Sequence, residues 1–217
     1  MASHLDLEEQ EQIDQLKHFW NRWGNLMTWT LIVVLGAYAA WNGWQWWQRR
    51  NAAQAAVLFD SVEQAATTKD LLLLERSLTD IQNRYGSTAM AQHAALLAAQ
   101  TFAAQTESAK AQAALSWVTQ NASDEGLVAL AWWRLAGLQM EAKNWEAAKT
   151  SLNPGKVPAA FQPLFEERFG DLMTLQSQTD QARNAYLKSW QLAQAGSDQR
   201  RWLEIKLAAL GVEPKEK

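Results

Sequence analysis

Polar and apolar positions along the first fifty residues change pattern twice. Charged and amide side chains recur up to Arg22, and then no charged residue occurs before Arg49, a window of 26 positions centred on LMTWTLIVVLGAYAAW. A helix across the hydrocarbon core of a bilayer needs about 20 such residues at roughly 1.5 Å each. The window is long enough to span with some tilt. Trp20 and Trp23 lie on its near side, and Trp41, Trp44, Trp46 and Trp47 on its far side. An indole has an apolar body and one wet N–H, which suits it to the two membrane–water interfaces. The separation of Trp23 and Trp44 comes to roughly 32 Å at the helical rise, close to the hydrocarbon thickness.

Beyond Arg50 the pattern becomes that of amphipathic helices, with no alternating β-branched runs. Residues 51–67 continue the membrane helix. Asp70 to Arg84 sets Leu71, Leu74, Leu78 and Ile81 at helical spacing and closes near Gly86, which predicts a helical hairpin with the segment before it.

A repeat then emerges. Alanine is followed four positions later by leucine or an aromatic at Ala111 and Leu115, Ala148 and Leu152, and Ala182 and Tyr186. The step from Ala148 to Ala182 is the tetratricopeptide period of about 34 residues, and the step before it is slightly longer. Each pair has a small residue twelve positions earlier, at Ala99, Ala136 and Gly170, so two helices of a hairpin can approach closely there. In the best-defined unit, Leu127, Leu130, Ala131, Leu135 and Leu138 form one stripe, and Trp145, Ala148 and Leu152 form the other. Asn153-Pro154-Gly155 ends that unit in a turn.

Capping signals support these boundaries. Ser123-Asp124-Glu125 and Thr179-Asp180 supply N-cap candidates with acids in the first turn. Pro158 and Pro163 both suit a helix start. A last helix over 198–210 would cap the open end of the array. The fold class is therefore all-α: one N-terminal transmembrane helix followed by a tetratricopeptide-like helical-hairpin solenoid. The domains predicted are a short acidic tail over 1–22, the transmembrane helix over 23–48 and the repeat domain over 49–217.

Charge refines the picture. The first 22 residues hold five acids and two bases and carry the whole net charge of −3, leaving 18 acids and 18 bases from Arg49 onward. A neutral domain lacks the basic footprint of a nucleic-acid binder, and no nucleic-acid partner is predicted. An acidic N-terminal region also opposes a cleaved signal peptide, although Ala37-Tyr38-Ala39 matches the small-x-small cleavage pattern. Lys17 and Arg22 on one side and Arg49 and Arg50 on the other balance, so charge alone does not orient the span. Cysteine is absent, which removes disulfides and thiolate metal sites.

Catalytic chemistry finds no foothold. His4, His18 and His93 are far apart, and none has a second ligand type at metal spacing. Glu166, Glu167 and Asp171 cluster on a helix, where a solvated face is expected rather than an acid–base pair. No phosphate-cradling glycine loop or nucleophile elbow occurs. No enzyme activity, cofactor, metal or small-molecule substrate is predicted. Trp117, Trp145, Trp190 and Trp202 fall where helix packing would use them. Trp132 and Trp133 are adjacent, hence about 100° apart on a helix, and cannot both point fully inward. One of them is a candidate partner-binding anchor.

The residues together resemble a known family, the ancillary subunits of the SecYEG translocon. The resemblance rests on the acidic tail and the anchor WNRWGN…LIVVLGAYAAWNGWQWW. It rests further on SDEGLVALAWWRLAGLQMEAKNWEAAKTSL and the ending WLEIKLAALGV. It implies a bacterial inner-membrane protein with its N-terminus in the cytoplasm and the residues from about Arg49 onward in the periplasm. It also implies association with the SecYEG translocon and with a membrane-anchored periplasmic chaperone of the peptidyl-prolyl isomerase type, assisting handover of translocated chains. A scaffold for outer-membrane protein insertion or cytochrome maturation would use the same parts. So would a soluble periplasmic binding protein, if Ala37-Tyr38-Ala39 were cleaved.

Overall fold

A computed structural model describes residues 7–214, except the side chains of residues 7–12, 15 and 16. His4 and Asp6 of the acidic tail lie outside the described residues, as do the side chains of Glu8, Glu9 and Glu11. The helices are α1 (Leu7–Thr68), α2 (Leu71–Tyr85), α3 (Ala89–Ala104), α4 (Ser108–Asn121), α5 (Glu125–Glu141), α6 (Trp145–Ser151), α7 (Gln162–Leu175), α8 (Thr179–Leu192) and α9 (Asp198–Ala209). A short 3₁₀ turn, Ala159–Phe161, precedes α7. No β-strand occurs among the described residues. The chain forms two compact units, Met1–Asn51 and Ala52–Lys217, each described by itself below.

In the first unit α1 is a membrane-length apolar helix, and it is the one helix among the described residues long and apolar enough to cross a bilayer. Its threonine hydroxyls are satisfied locally. Thr28 and Thr30 each donate to the carbonyl four positions back, those of Gly24 and Leu26, at 2.8 Å. A hydroxyl that bonds its own helix in this way presents little unpaired polarity to lipid.

The second unit is a stack of hairpins. The last turns of α1 pair with α2, burying Ala55, Val62 and Ala65 in one core with Leu74, Leu78 and Ile81. Then α3 pairs with α4, α5 with α6 and α7 with α8, and α9 follows in the register of a first helix. Every small residue of the predicted repeat is buried: Ala99, Ala136 and Gly170 in first helices, and Ala111, Ala148 and Ala182 in second helices. The register reaches one unit further upstream than the alanines reveal. Val62, Leu74 and Leu78 hold the places taken one unit later by Ala99, Ala111 and Leu115, and all three are buried.

The turns carry the same period. Lys69, Thr106, Lys143 and Ser177 adopt left-handed backbone with φ of 56°, 61°, 58° and 59°, each one repeat after the last. Each closes its first helix with a paired set of bonds. At Thr106, for example, Glu107 N–H donates to Phe102 O at 2.9 Å and Thr106 N–H to Ala103 O at 3.1 Å. This is the Schellman arrangement that satisfies the orphan carbonyls of a helix end. Gly211, one repeat past Ser177, restates it at the end of α9, with Val212 N–H on Leu207 O at 3.0 Å. The described array therefore reaches the turn of a fifth hairpin.

In register, Glu204 occupies the place held by Ala99, Ala136 and Gly170. Its carboxylate accepts from Trp190 Nε1 at 3.1 Å and so ties α9 to α8.

Helix α5 is apolar nearly all round because it is the wall between two cores. Ala131 and Leu135 belong to the core built on α1 to α5, whereas Ala129 and Ala136 belong to the core built on α5 to α9. A helix covered on both sides has no need of a polar face.

The capping expectations hold in part, with Asp124 as predicted. Asp124 caps α5, its Oδ1 accepting from Leu127 N–H at 2.8 Å, and Ser197 caps α9 from Arg200 N–H at 3.2 Å. Pro163, not Pro158, sits in the first turn of α7. Thr179 is already helical, and Gln178 precedes it without a side-chain cap. Gly86 is not a left-handed cap either: its φ is −54°. Its hydrogen admits the Trp117 ring, since a Cβ there would lie 3.2 Å from Cζ2.

Candidate functional site

The anchor presents its aromatic residues outward. Trp20, Trp23, Trp41, Trp44, Trp46 and Trp47 are 46–63 % exposed within the chain, as are the aliphatic side chains between them. Trp44 and Trp47 pack at 5.5 Å between ring centroids, and the Arg50 guanidinium lies 5.3 Å from the Trp46 ring. Trp20 folds over Gly24, where a Cβ would meet the ring at 3.1 Å. An apolar cylinder with indoles at both ends is a surface made for lipid or for another membrane helix.

In the second unit the first helices α3, α5 and α7 lie side by side, and between them opens a cleft of about 260 Å³. Ala99, Ala103 and Leu138 form its apolar part, and Arg134, Glu141 and Arg168 its charged part. Arg168 is fixed from three directions. Its guanidinium stacks on the Trp133 ring at 3.5 Å, its Nη1 donates to Trp133 O at 3.0 Å, and Gly137 leaves room for it, a Cβ there falling 2.4 Å from Nη1. Burial lowers the Arg168 pKa, opposed by the charges of Asp171, Glu167 and Glu141. Arg134 and Glu141 make no ion pair among the described residues. Such a cleft offers charge-assisted bonds to a polypeptide.

Trp132 and Trp133 both sit at this joint, and both are partly buried. Trp132 packs against both cores. Trp133 spends its Nε1 on Leu164 O at 3.2 Å and one face of its ring on Arg168. Arg134, Glu141 and Arg168 escaped sequence reasoning, although all three sit on first helices at positions the repeat turns toward the cleft. The signal was the shared register of Arg134 and Arg168, which stand one repeat apart.

The carboxylate cluster is not a solvated face. Lys206 reaches Glu167 at 2.8 Å and Asp171 at 2.7 Å, Tyr186 OH donates to Asp171 at 2.8 Å, and Gln199 donates to Glu167 at 3.1 Å. Glu166 accepts from Lys188 at 2.5 Å. The three acids tie α7 to α8 and α9 through partners distant in sequence, which were invisible to a one-helix reading. Burial opposes the Lys206 ammonium, but the hydrogen bonds and charges of Asp171 and Glu167 outweigh it and hold the pKa above the ordinary lysine value. Burial and Asp171 push the Tyr186 phenol up, against an opposing hydrogen bond from Thr174.

Of the four packing tryptophans, Trp190 is buried and Trp117 and Trp145 are partly so, but Trp202 is 62 % exposed. It lies on a side of α9 that no other helix among the described residues covers. His93 is exposed on α3. No group of three or more metal-ligating side chains occurs among the described residues.

The family model described as Tetratricopeptide repeat-like domain matches residues 17–212. A protein of Neisseria gonorrhoeae named Ancillary SecYEG translocon subunit is 33% identical over 215 residues, spanning 97% of this chain and 100% of the relative. Proteins of the same name from Haemophilus influenzae and Escherichia coli are 24% identical over 185 residues and 28% identical over 148. These cover 85% and 67% of this chain and 90% and 69% of the respective relatives. An all-helical hairpin array behind one apolar anchor, matched from end to end by such a relative, belongs to the ancillary SecYEG translocon subunit family of tetratricopeptide repeat-like proteins.

Proposed function

We propose that the chain is a non-enzymatic adaptor of the bacterial inner membrane, held beside the SecYEG translocon by its anchor. In this reading the N-terminus is cytoplasmic and the hairpin array periplasmic. The observation that carries it is the full-length similarity to the Neisseria gonorrhoeae ancillary translocon subunit, anchor included. The exposed apolar surface of the anchor supports lateral contact with membrane helices, since lipid and helix compete for such a surface on nearly equal terms.

The array contributes a binding face. Arg134, Glu141 and Arg168 offer charge-assisted bonds beside the apolar wall of the first-helix cleft, and Trp133 positions Arg168 there. Trp132, shared by the two cores, sets the spacing of the helices that frame it. The occupant we assign to this face is a membrane-anchored periplasmic chaperone of the peptidyl-prolyl isomerase type, so that newly translocated chains are handed on at the channel exit. Tethering supplies the gain: a linked site works at an effective concentration up to the millimolar range, so individually weak contacts suffice.

The test is site-specific photo-crosslinking in native membranes, with probes at positions within 28–38 and at Trp132. Translocon subunits captured from the anchor and the chaperone captured from Trp132 are the expected outcome. Capture of a different envelope complex without translocon subunits would reject the reading in favour of a scaffold elsewhere in the envelope. Orientation is read separately. The chain has no cysteine, so Lys17→Cys and Asp180→Cys each give a unique thiol. A membrane-impermeant maleimide should label only the second in spheroplasts.

A further inference from the structure

The repeat register carries the first-helix cleft further than the residues that line it. Arg134 on α5 and Arg168 on α7 hold one register place, two positions before Ala136 and Gly170. Gln100 on α3 and Gly137 on α5 hold another, one position after Ala99 and Ala136, and all four residues line the cleft. In α9 the same two places, counted from Glu204, are Trp202 and Ile205. Both are large apolar side chains left open, 62 % and 59 % exposed. Lys206 holds α9 to α7 through Glu167 and Asp171. The first-helix face thus passes from a charged cleft at α3, α5 and α7 to an apolar shelf on α9.

The charged end lacks a counter-ion. Neither Arg134 nor Arg168 forms an ion pair among the described residues. Arg168 is partly buried and spends one hydrogen bond, on Trp133 O, of the five that a guanidinium can donate. Glu167 and Asp171, its acidic neighbours on α7, are taken by Lys206. Glu141 is the one acid lining the cleft, against two guanidiniums, which leaves one net positive charge. That balance suits a single carboxylate, whereas a phosphate group at about −1.5 to −2 would exceed it. The stack on Trp133 and the gap at Gly137 fix the Arg168 plane in advance, as a paired contact to a carboxylate requires.

We propose that this face binds an extended acidic segment of a partner polypeptide. One Asp or Glu side chain of the segment sits between Arg134 and Arg168, and an apolar side chain rests on Trp202 and Ile205. Packed helices lie about 8–10 Å apart and an extended chain advances about 3.3 Å per residue, so the apolar residue stands about three positions from the acid. The proposal rests on the reading of the first-helix cleft as a binding face, and not on which protein fills it.

The experiment is selection of a displayed library of linear heptapeptides against the full chain in nanodiscs, followed by fluorescence anisotropy on the enriched peptides with amidated C-termini. The expected result is enrichment of Asp or Glu about three positions from Leu, Phe or Trp. Affinity should fall tenfold or more in the Arg134→Gln chain and several-fold in Trp202→Ala, rise in Glu141→Gln, and stay unchanged in the distant Lys149→Ala chain. Arg134 holds no other helix in place by an ion pair, so its loss is not expected to unfold the array, and circular dichroism checks that. Enriched peptides without an acid, peptides indifferent to Arg134→Gln or Trp202→Ala, or no enrichment at all would each overturn the proposal. Crosslinking from Trp132 separates it from the chaperone assignment. A chaperone captured equally by the wild-type and Arg134→Gln chains would keep that assignment and reject the acid contact. Acid-selective peptides with no chaperone captured would do the reverse.

Discussion

Replacing Gly170 by alanine tests the packing rule of the array at its tightest point. Glycine to alanine inside an exposed helix gains about 1 kcal/mol from propensity alone. Here the new Cβ would stand 2.4 Å and 2.5 Å from Cε1 and Cδ1 of the Tyr186 ring, distances that atoms do not tolerate. The ring must move, at a typical overpacking cost of about 1–3 kcal/mol. Movement also strains its hydroxyl bonds to Asp171 at 2.8 Å and Thr174 at 3.1 Å. A bond to a charged group is worth roughly 1.5–3 kcal/mol. The net expectation is a loss of about 2–4 kcal/mol, read as a fall of roughly 5–15 °C in the midpoint of far-UV circular dichroism melts of the full chain in detergent. The control comes from the repeat itself. Where the first helix has Ala99 or Ala136, the second has Leu115 or Leu152. Tyr186→Leu should therefore accept Gly170→Ala without loss, restoring the pair used in the two preceding hairpins. Equal destabilisation in both backgrounds would refute the reasoning, since the ring would then not be the obstacle.

Thr106→Gly should raise stability by about 1 kcal/mol, because a β-branched residue at φ of 61° pays the left-handed penalty that glycine avoids; denaturant midpoints decide it. Lys206→Met should destabilise by about 1–3 kcal/mol through loss of the bonds to Glu167 and Asp171. The sign of its pH dependence follows from the raised pKa: the folded chain holds this proton more tightly than the unfolded one. The contribution is complete below the unfolded lysine value of about 10.4 and disappears as pH rises through the higher folded value, so wild type and variant should converge in strongly alkaline buffer. Trp190→Phe removes the bond to Glu204 and should loosen α9 first, seen as faster amide exchange in residues 198–209 than in α7.

The sequence carried the hairpin register with unusual clarity because close helix approach demands small side chains at fixed intervals. Ala99, Ala111, Ala136, Ala148, Gly170 and Ala182 could be placed in the core from spacing alone. The first hairpin was legible only as a generic pair, since Val62 and Leu74 fill the same register with larger residues. The left-handed turns were hidden for a related reason: Lys69, Thr106, Lys143 and Ser177 are not the residues that advertise positive φ. Contacts across three helices were beyond a linear reading. Glu167 and Asp171 look like one solvated stripe until α9 supplies Lys206, and Trp202 looks like core until it proves exposed on α9. Arg168 became recognisable as part of a binding face only when α5 delivered Trp133 beneath it.

Glu204 has a meaning beyond the local packing of α9. Stacked hairpins are open-ended, and an uncapped terminus is an invitation to add another unit, whether from the same chain or from a neighbouring molecule. Head-to-tail addition of that kind does not close on itself and grows fibres. By placing a carboxylate where Ala99, Ala136 and Gly170 stand in the three preceding first helices, and by engaging it with Trp190, α9 offers an approaching hairpin a charged side chain in place of a small-residue seat. Where neighbours are concentrated and similarly oriented, as on a membrane surface, such a charged seat disfavours head-to-tail addition.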